Sequence, residues 1–135
     1  MLFKLDLALK IVNGQKTQTR RWTPHKPISA GKTFFAELRL FDTKSRFALL
    51  KAVNVYEWNP LDITKAIAKA EGFDTPADFS KAFQEINAHK SMKTPAGKLR
   101  KHWAVEFEVE HLILSPTLPD ALKSAIKAAL EKGVL

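Results

Sequence analysis

The sequence contains no cysteine among its 135 residues, which excludes disulfide scaffolds, thiolate zinc sites, iron–sulfur clusters and cysteine nucleophiles and suits a reducing compartment. It also lacks a GxGxxG, a Walker or an HExxH motif. Its four histidines do not have the spacing of metal ligands: they are His25, His89, His102 and His111. The sequence therefore predicts neither a metal site nor a cofactor.

No uninterrupted apolar run approaches the roughly 20 residues that span a bilayer. The apolar residues 1–12 are broken by Lys4, Asp6 and Lys10 and lack the small-residue end of a signal peptide. We therefore expect a soluble, cytoplasmic protein with no membrane partner. The length and the composition, 45% hydrophobic and 27% charged, indicate one domain over residues 1–135. Nothing in the sequence indicates its oligomeric state.

Acidic residues are scarce, because 14 Asp and Glu stand against 22 Lys and Arg, for a net charge of +8. Such an excess indicates polyanionic partners rather than a particular fold. The positive charge concentrates in two segments without an acid, residues 15–26 and 89–102. Trp22 lies within the first segment and Trp103 directly follows the second. The cations of the two segments are Lys16, Arg20, Arg21, Lys26, Lys90, Lys93, Lys98, Arg100 and Lys101.

Interleaved cations and aromatic rings are typical of grooves that hold phosphates and stack bases. The two basic segments thus favour single-stranded RNA as a partner. A simpler interpretation is that the loops are only solvated and that Trp103, at the start of an inward-facing alternation, belongs to the core. Trp22 suits either interpretation.

The hydropathy pattern predicts four or five strands with helices at both ends and two in the middle. Residues 5–12 suit a helix or a strand, and Asn13-Gly14 after them favours the helix. Thr75 and Pro76 have the residue types of a helix start. Strands are predicted over 17–22, 33–41, 46–58 and 102–114. Further helices are predicted over 61–70, from 75 and over 119–132. The last helix is expected to face the body of the protein with Leu122, Ala125, Ile126, Ala129 and Leu130. The predicted fold class is α+β, a small mixed β-barrel with flanking helices.

One ordered set of motifs resembles the ASCH domain family, whose fold is related to the PUA RNA-binding barrel. The set comprises an apolar helix, a glycine, a Lys-Thr-x-Thr-x-Arg-like strand, a turn rich in Pro and Gly, a Glu-Gly-Phe element and a terminal strand. They correspond here to residues 5–12, 14–21, 28–32, 71–73 and 102–107. The resemblance covers about residues 5–114 and implies a PUA-like barrel. The amphipathic C-terminal helix, within residues 118–133, lies outside it.

The resemblance also implies a function. Activities assigned to this family include RNA binding, RNA cleavage and hydrolysis of N4-acetylcytidine to cytidine and acetate. In small bacterial members the hydrolysis rests on a lysine, a threonine and a glutamate, which correspond here to Lys16, Thr19 and Glu71. The leading hypothesis is thus an N4-acylcytidine amidohydrolase acting on a pyrimidine nucleoside or base, whose candidate substrate-binding residues are Arg20, Arg21 and Trp22.

The alternative hypothesis is an RNA-binding module, or a ribonuclease, in which the same cleft holds a base. The net charge favours this alternative, because a neutral nucleoside needs no such field, whereas the complete lysine, threonine and glutamate set favours the hydrolase. The expected phosphate-binding residues are Lys26, Lys90, Lys93, Lys98, Arg100 and Lys101.

Hydrolysis of an N4-acyl amide needs a nucleophile, a proton acceptor and a group that stabilises the oxyanion. Thr19 could supply the hydroxyl. Lys16 is a base only when neutral, and at an ordinary pKa near 10.4 about one lysine in 2,500 is neutral at pH 7. Either Lys16 is desolvated and acts as the base, or Glu71 is the base that activates Thr19 or a water while a cationic Lys16 stabilises the oxyanion.

Geometry adds a condition, because residues three apart on an ideal strand point to opposite faces. Lys16 and Thr19 can therefore converge only if Lys16 lies in the turn after Gly14 or the strand is bulged. In the simpler interpretation Lys16 is solvated and Glu71 is an exposed acid at a helix end. There its charge would oppose the helix dipole.

Overall fold

A computed structural model describes residues 1–133. Its core element is a four-stranded antiparallel sheet with the strand order β1-β4-β3-β2, which curls into a half-barrel. The elements along the chain are α1 (Leu5–Val12), β1 (Gln18–Thr23), β2 (Thr33–Glu37), β3 (Arg46–Glu57), α2 (Lys65–Ala70), α3 (Pro76–Asn87), β4 (Lys101–Leu112) and α4 (Asp120–Glu131). The predicted α+β barrel-like fold with two terminal and two central helices is confirmed.

Local signals in the sequence account for the helix ends. Helix α1 stops at Asn13, and the Gly14 N–H donates to the Ile11 carbonyl at 3.1 Å with Gly14 at φ 77°. This confirms the helix over the alternative strand. Helix α3 begins at the Thr75 N-cap, whose hydroxyl accepts from the Asp78 N–H at 3.1 Å, with Pro76 at the first helical position.

The two long strands, β3 and β4, form the centre of the sheet. Their pairing shifts register between Leu49 and Leu50 and between Ala52 and Asn54. Such bulges bend a strand and increase its twist, which suits a curled sheet. The hydrophobic core lies between this sheet, α1 and α4, and its largest fully buried apolar side chains include Ile11, Phe47, Leu50, Leu122 and Ile126.

Three sequence expectations are wrong in detail. Helix α2 begins at Lys65 rather than at Leu61, because the Thr64 hydroxyl caps it by accepting from the Ile67 N–H at 3.1 Å. Strand β2 ends at Glu37 rather than Phe41, because residues 38–45 turn back around the Ser45 hydroxyl, which donates toward the Arg39 and Asp42 carbonyls. Phe41 has φ 59° and is 93% exposed. Leu130 was expected to face the body and is 44% exposed, because it lies at the margin of the buried stripe in the last turn of α4.

Strand β1 lies at one edge of the sheet and pairs with β4 from Gln18–Glu106 to Thr23–Lys101. Helices α2 and α3 occupy the connection between β3 and β4. The aromatic stripe of α3 packs on Trp58, with ring centroids 6.3 Å from Phe79 and 5.8 Å from Phe83. The edge strand and the two central helices thereby enclose the site described next.

None of the helices within residues 1–133 combines the length and the hydropathy that crossing a bilayer requires.

Candidate active site

Lys16 lies in the turn between α1 and β1. The Gln15 and Lys16 N–H groups donate to the Lys10 carbonyl at 2.8 and 3.1 Å, and the Thr17 N–H donates to the Ala70 carbonyl at 2.8 Å. Lys16 therefore precedes the strand, which starts at Gln18. This is one of the two geometries that convergence with Thr19 requires.

Glu71 is held at the C-terminal end of α2. Its N–H donates to the Ile67 carbonyl, and the Phe73 N–H reaches back to the Ala68 carbonyl at 2.8 Å. Gly72 makes this closure possible with φ 92°, a left-handed conformation that favours glycine. The Lys10 ammonium donates to the Gly72 carbonyl and so ties α1 to the end of α2.

Lys16, Arg20 and Glu71 form a buried ionic triad. The Lys16 ammonium is 2.9 Å from Glu71 Oε1, and Arg20 Nη1 is 2.9 Å from Glu71 Oε2. Lys16 is 2% exposed and Glu71 is 3% exposed. Lys16 also donates to the Glu71 carbonyl at 3.2 Å, which places a cation at the C-terminus of α2, where the helix dipole favours one. The interpretation of both residues as solvated surface groups is therefore wrong.

The environment of Lys16 acts on its charge in opposing ways. Burial lowers the pKa of Lys16, the Glu71 carboxylate and its hydrogen bond raise that pKa, and Arg21 and Arg20 lower it, so that the pKa lies below its ordinary value. Arg20 pairs with Glu71 through the carboxylate oxygen that Lys16 does not contact. Loss of the lysine proton would therefore not leave a buried carboxylate without a cation.

Thr19 is buried on β1 and lines the same cavity as the triad. We call this the Lys16 cavity; it lies between the start of α1, β1, the end of α2 and α3, and its volume is about 150 Å³. A cavity of about this size in another protein holds one benzene ring. The hydrogen bonds of the triad do not include the Thr19 hydroxyl.

Arg21 and Trp22 also line the Lys16 cavity. The Arg21 guanidinium lies over the Phe3 ring at 5.0 Å and donates to the Leu2 carbonyl at 2.8 Å, so it also ties the N-terminus to β1. Burial lowers the pKa of Arg21 to about 10, against the raising effect of Glu71. All six residues predicted as catalytic or substrate-binding thus meet at one cavity.

The second set of predicted residues, the phosphate-binding cations, is more dispersed. Lys90 lines the Lys16 cavity, with its ammonium 3.5 Å from the Trp22 carbonyl, and the Arg100 guanidinium lies 5.9 Å from the Trp22 ring. Lys101 pairs with Glu57 at 3.4 Å. The remaining three, Lys26, Lys93 and Lys98, are exposed.

Sequence reasoning missed the aromatic wall of the site. Trp58 lies 4.9 Å from the Arg20 guanidinium, and Phe79 and Phe83 of α3 line the Lys16 cavity. The signal that could have found this wall is the helical spacing of Phe79, Phe83 and Ile86 in the sequence. Trp103, which the simpler interpretation places in the core, is half-buried, donates to the Thr23 carbonyl at 3.2 Å and does not line the Lys16 cavity.

Within residues 1–133 no group of three or more His, Cys, Asp or Glu side chains could hold a metal ion. The ionisable groups of the triad itself are two cations and one carboxylate. The chemistry available at the cavity is therefore that of a hydroxyl, an amine, a carboxylate and guanidinium donors.

Neither a scan against protein-family models nor a search of curated proteins finds a match to this chain. Solved structures do match. An Enterococcus faecalis V583 protein of the DUF984 family aligns with a TM-score of 0.58 at 21% identity, over 80% of this chain and 72% of that one. An ASCH domain from Lactobacillus crispatus JV V101 aligns with a TM-score of 0.59 at 12% identity, over 77% of this chain and 70% of that one. An ASCH protein from Zymomonas mobilis aligns with a TM-score of 0.54 at 11% identity, over 95% of this chain and 92% of that one.

The curled antiparallel sheet with its helices is thus an α+β half-barrel of the PUA-like type. More particularly, the chain has the fold of ASCH domains. At these identities the likeness concerns the fold, and the activity has to be argued from the site.

Proposed function

We propose that this protein is an amidohydrolase that removes N4-acyl groups from cytidine or cytosine, converting N4-acetylcytidine to cytidine and acetate. The observation that supports the proposal most is the meeting of Lys16, Thr19 and Glu71 at one cavity sized for a single six-membered ring. Phe79 and Phe83 in its wall offer apolar contact to such a ring.

We assign the base role to Lys16. Both Glu71 oxygens already accept hydrogen bonds, one from Lys16 and one from Arg20, so the carboxylate is engaged on both sides within the triad. The pKa of Lys16 is lowered by burial, which raises the share of neutral amine. In this assignment Glu71 positions Lys16 and Arg20, and Thr19 is the nucleophile.

The reaction then takes two stages. The Thr19 oxygen attacks the acyl carbonyl carbon while its proton passes to the neutral Lys16 amine. The bond between the acyl carbon and N4 breaks, and N4 takes the proton from Lys16. Cytidine then leaves, and the acyl group stays on Thr19 as an ester. Water attacks this ester and gives a proton to Lys16, which returns it to the Thr19 oxygen as the carboxylic acid departs.

The oxyanion of each tetrahedral intermediate needs a donor. Arg20 lines the Lys16 cavity, and its buried Nε–H has no hydrogen-bond partner within residues 1–133. An unpaired buried donor costs about 1–3 kcal/mol, so a ligand oxygen that accepts from it would recover that energy. The buried Nε–H of Arg21 also has no partner within residues 1–133, but Arg20 is the arginine that Glu71 holds beside Lys16. We therefore assign oxyanion stabilisation to Arg20.

Incubation of the protein with N4-acetylcytidine, followed by the change in ultraviolet absorbance, tests the proposal. We expect cytidine and acetate to form, and Thr19→Val to lower kcat/KM by at least about a thousandfold because the nucleophile is lost. The matched control is Thr17→Val, two residues earlier at an exposed position, which should retain activity. Absence of turnover by the unsubstituted protein would overturn the proposal.

The second candidate function is an RNA-binding module. It is supported by Lys90, which lines the Lys16 cavity, by Arg100, whose guanidinium lies 5.9 Å from the Trp22 ring, and by the net charge of +8. A fluorescent single-stranded RNA that fails to bind even at low salt would remove this candidate.

A further inference from the structure

A second concavity adjoins the Lys16 cavity. Its volume is about 300 Å³, and it shares the walls formed by Trp22, Phe83 and Asn87 with the Lys16 cavity. We call it the Trp58 pocket, after the tryptophan that lines it together with His102. With about twice the volume of its neighbour, it has space for a one-ring or a two-ring base.

The walls of the Trp58 pocket are flat and aromatic. The His102 ring stacks on Trp22 with centroids 5.6 Å apart and planes at 14°, and Trp58 meets His102 nearly at a right angle. Burial lowers the pKa of His102, which keeps its ring neutral over a wider pH range. The buried Trp58 Nε1–H has no partner within residues 1–133, so the wall also offers one free donor.

The surroundings of the pocket are cationic. Lys90 lies against the backbone of the shared Trp22 wall, and the Arg100 guanidinium lies 5.9 Å from the Trp22 ring. The lining residues of the pocket described in residues 1–133 include no acid. Cations beside stacked aromatic rings suit a phosphodiester flanked by bases, whereas a free nucleoside carries no charge for them to pair with.

We propose that the Trp58 pocket binds a second nucleobase, the neighbour of the N4-acylated cytosine in a single-stranded RNA, with Lys90 and Arg100 holding the intervening phosphate. The inference rests on the proposed function, because it assumes that the modified base occupies the Lys16 cavity. It narrows the substrate from a free nucleoside to an oligonucleotide of at least two residues.

Calorimetric binding of a dinucleotide tests the inference without relying on turnover. The ligands are cytidine 5′-monophosphate and the two dinucleotides of cytidine and adenosine, one in each order. For each dinucleotide, the readout is the ratio of the Kd of the mononucleotide to the Kd of the dinucleotide. We expect one order of the dinucleotide to bind about tenfold tighter or more, because it adds one stacked base.

Ser80→Trp fills the Trp58 pocket from α3 and should bring that ratio to near one. The matched control, Ala77→Trp, adds the same ring to an exposed position of α3 that lines neither cavity and should retain the ratio. Gln84→Trp fills the pocket from the next turn of α3 and replaces Ser80→Trp if that variant fails to fold.

Equal affinities for mononucleotide and dinucleotide, a ratio that survives both filling variants, or no binding at all would overturn the inference. Hydrolysis of N4-acetylcytidine, measured in parallel, distinguishes the two proposals. Turnover without a dinucleotide preference retains the hydrolase and removes the second base site. A preference that depends on the pocket, without turnover, retains the site and removes the hydrolase.

Discussion

At the scale of single residues, Glu71 is the group on which the site depends. Each of its oxygens holds one buried cation, Lys16 at 2.9 Å and Arg20 at 2.9 Å. Glu71→Gln would leave two cations in a low-dielectric site without a charge partner. We expect a loss of about 3–5 kcal/mol in the free energy of unfolding, measured with denaturant, together with loss of hydrolysis.

Two further variants test this assignment. Glu108→Gln removes a charge from an exposed position of β4 and should change stability by less than about 0.5 kcal/mol. Lys16→Met should destabilise less than Glu71→Gln, because Glu71 keeps Arg20 and the cost of burying the ammonium disappears. Equal losses from Lys16→Met and Glu71→Gln would contradict the shared-carboxylate account.

The pH dependence of kcat/KM tests the assignment of Lys16 as the base against the alternative, in which a cationic Lys16 stabilises the oxyanion. If neutral Lys16 is the base, the rate rises with pH through the pKa of Lys16, which burial moves below its ordinary 10.5. If cationic Lys16 stabilises the oxyanion, the rate falls over the same range. We expect the rise between neutral and alkaline pH with N4-acetylcytidine as substrate, and a fall there would transfer the base role to Glu71.

At the scale of elements, the C-terminal end of α2 sets the position of the triad. A Cβ on Gly72 would meet Lys10 Cδ at 3.0 Å and Lys16 Cβ at 3.4 Å, in addition to the strain of φ 92°. Gly31 has a similar φ of 86° with nothing within 4 Å of a Cβ. We expect Gly72→Ala to lower stability more than Gly31→Ala, whose cost is about 1 kcal/mol from the backbone alone, and to reduce hydrolysis, whereas Gly31→Ala retains it.

Thermal unfolding and the rate on N4-acetylcytidine, measured for both variants, check this expectation. Equal losses of stability would mean that the crowding against Lys10 and Lys16 relaxes at no cost, and full activity in Gly72→Ala would mean that the triad tolerates displacement of the α2 end.

The elements whose ends carry a local signal could be predicted from the sequence. Gly14 closes α1, Thr75 and Pro76 open α3, and the alternation of β4 marks its inward face. The end of β2 could not, because the turn that replaces the predicted strand up to Phe41 is held by Ser45, whose hydroxyl reaches back six residues to Arg39. Apolar residues in such a turn can match the period-two pattern of a strand, so hydropathy alone does not separate the two.

The sequence singled out residues that line one cavity, but it did not predict the contacts among them. The ASCH-like motifs selected Lys16, Thr19 and Glu71, and the turn after Gly14 was one of two geometries that allowed them to meet. The pairing of Arg20 with Glu71 joins residues 51 apart in the chain, and the approach of Trp58 to Arg20 is likewise non-local. Composition and periodicity contain no information on such contacts.

At the scale of the whole molecule, the structure reduces the number of cations available to RNA. Lys16 and Arg20 are buried and paired with Glu71, Arg21 packs on Phe3 and donates to the Leu2 carbonyl, and Lys101 pairs with Glu57. Five of the nine remain for phosphate: Lys26, Lys90, Lys93, Lys98 and Arg100. At about −0.7 per contact on a single strand, the slope of log K against log salt should be near −3.5, rather than about −6 for all nine.

Fluorescence anisotropy with single-stranded RNA over a range of salt concentrations measures this slope. A value near −6 would show that the buried cations also reach phosphate. A value near −1 would show that the basic loops take little part in binding.

The most direct test of the central claim, that Lys16, Thr19 and Glu71 surround one reacting amide, is a crystal structure of the Lys16→Met variant with N4-acetylcytidine. We expect the cytosine ring in the Lys16 cavity, with the acyl carbonyl carbon about 3–3.5 Å from the Thr19 hydroxyl oxygen and the carbonyl oxygen toward Arg20. A nucleoside bound only in the Trp58 pocket, or in the Lys16 cavity with its acyl group pointing away from Thr19, would contradict it.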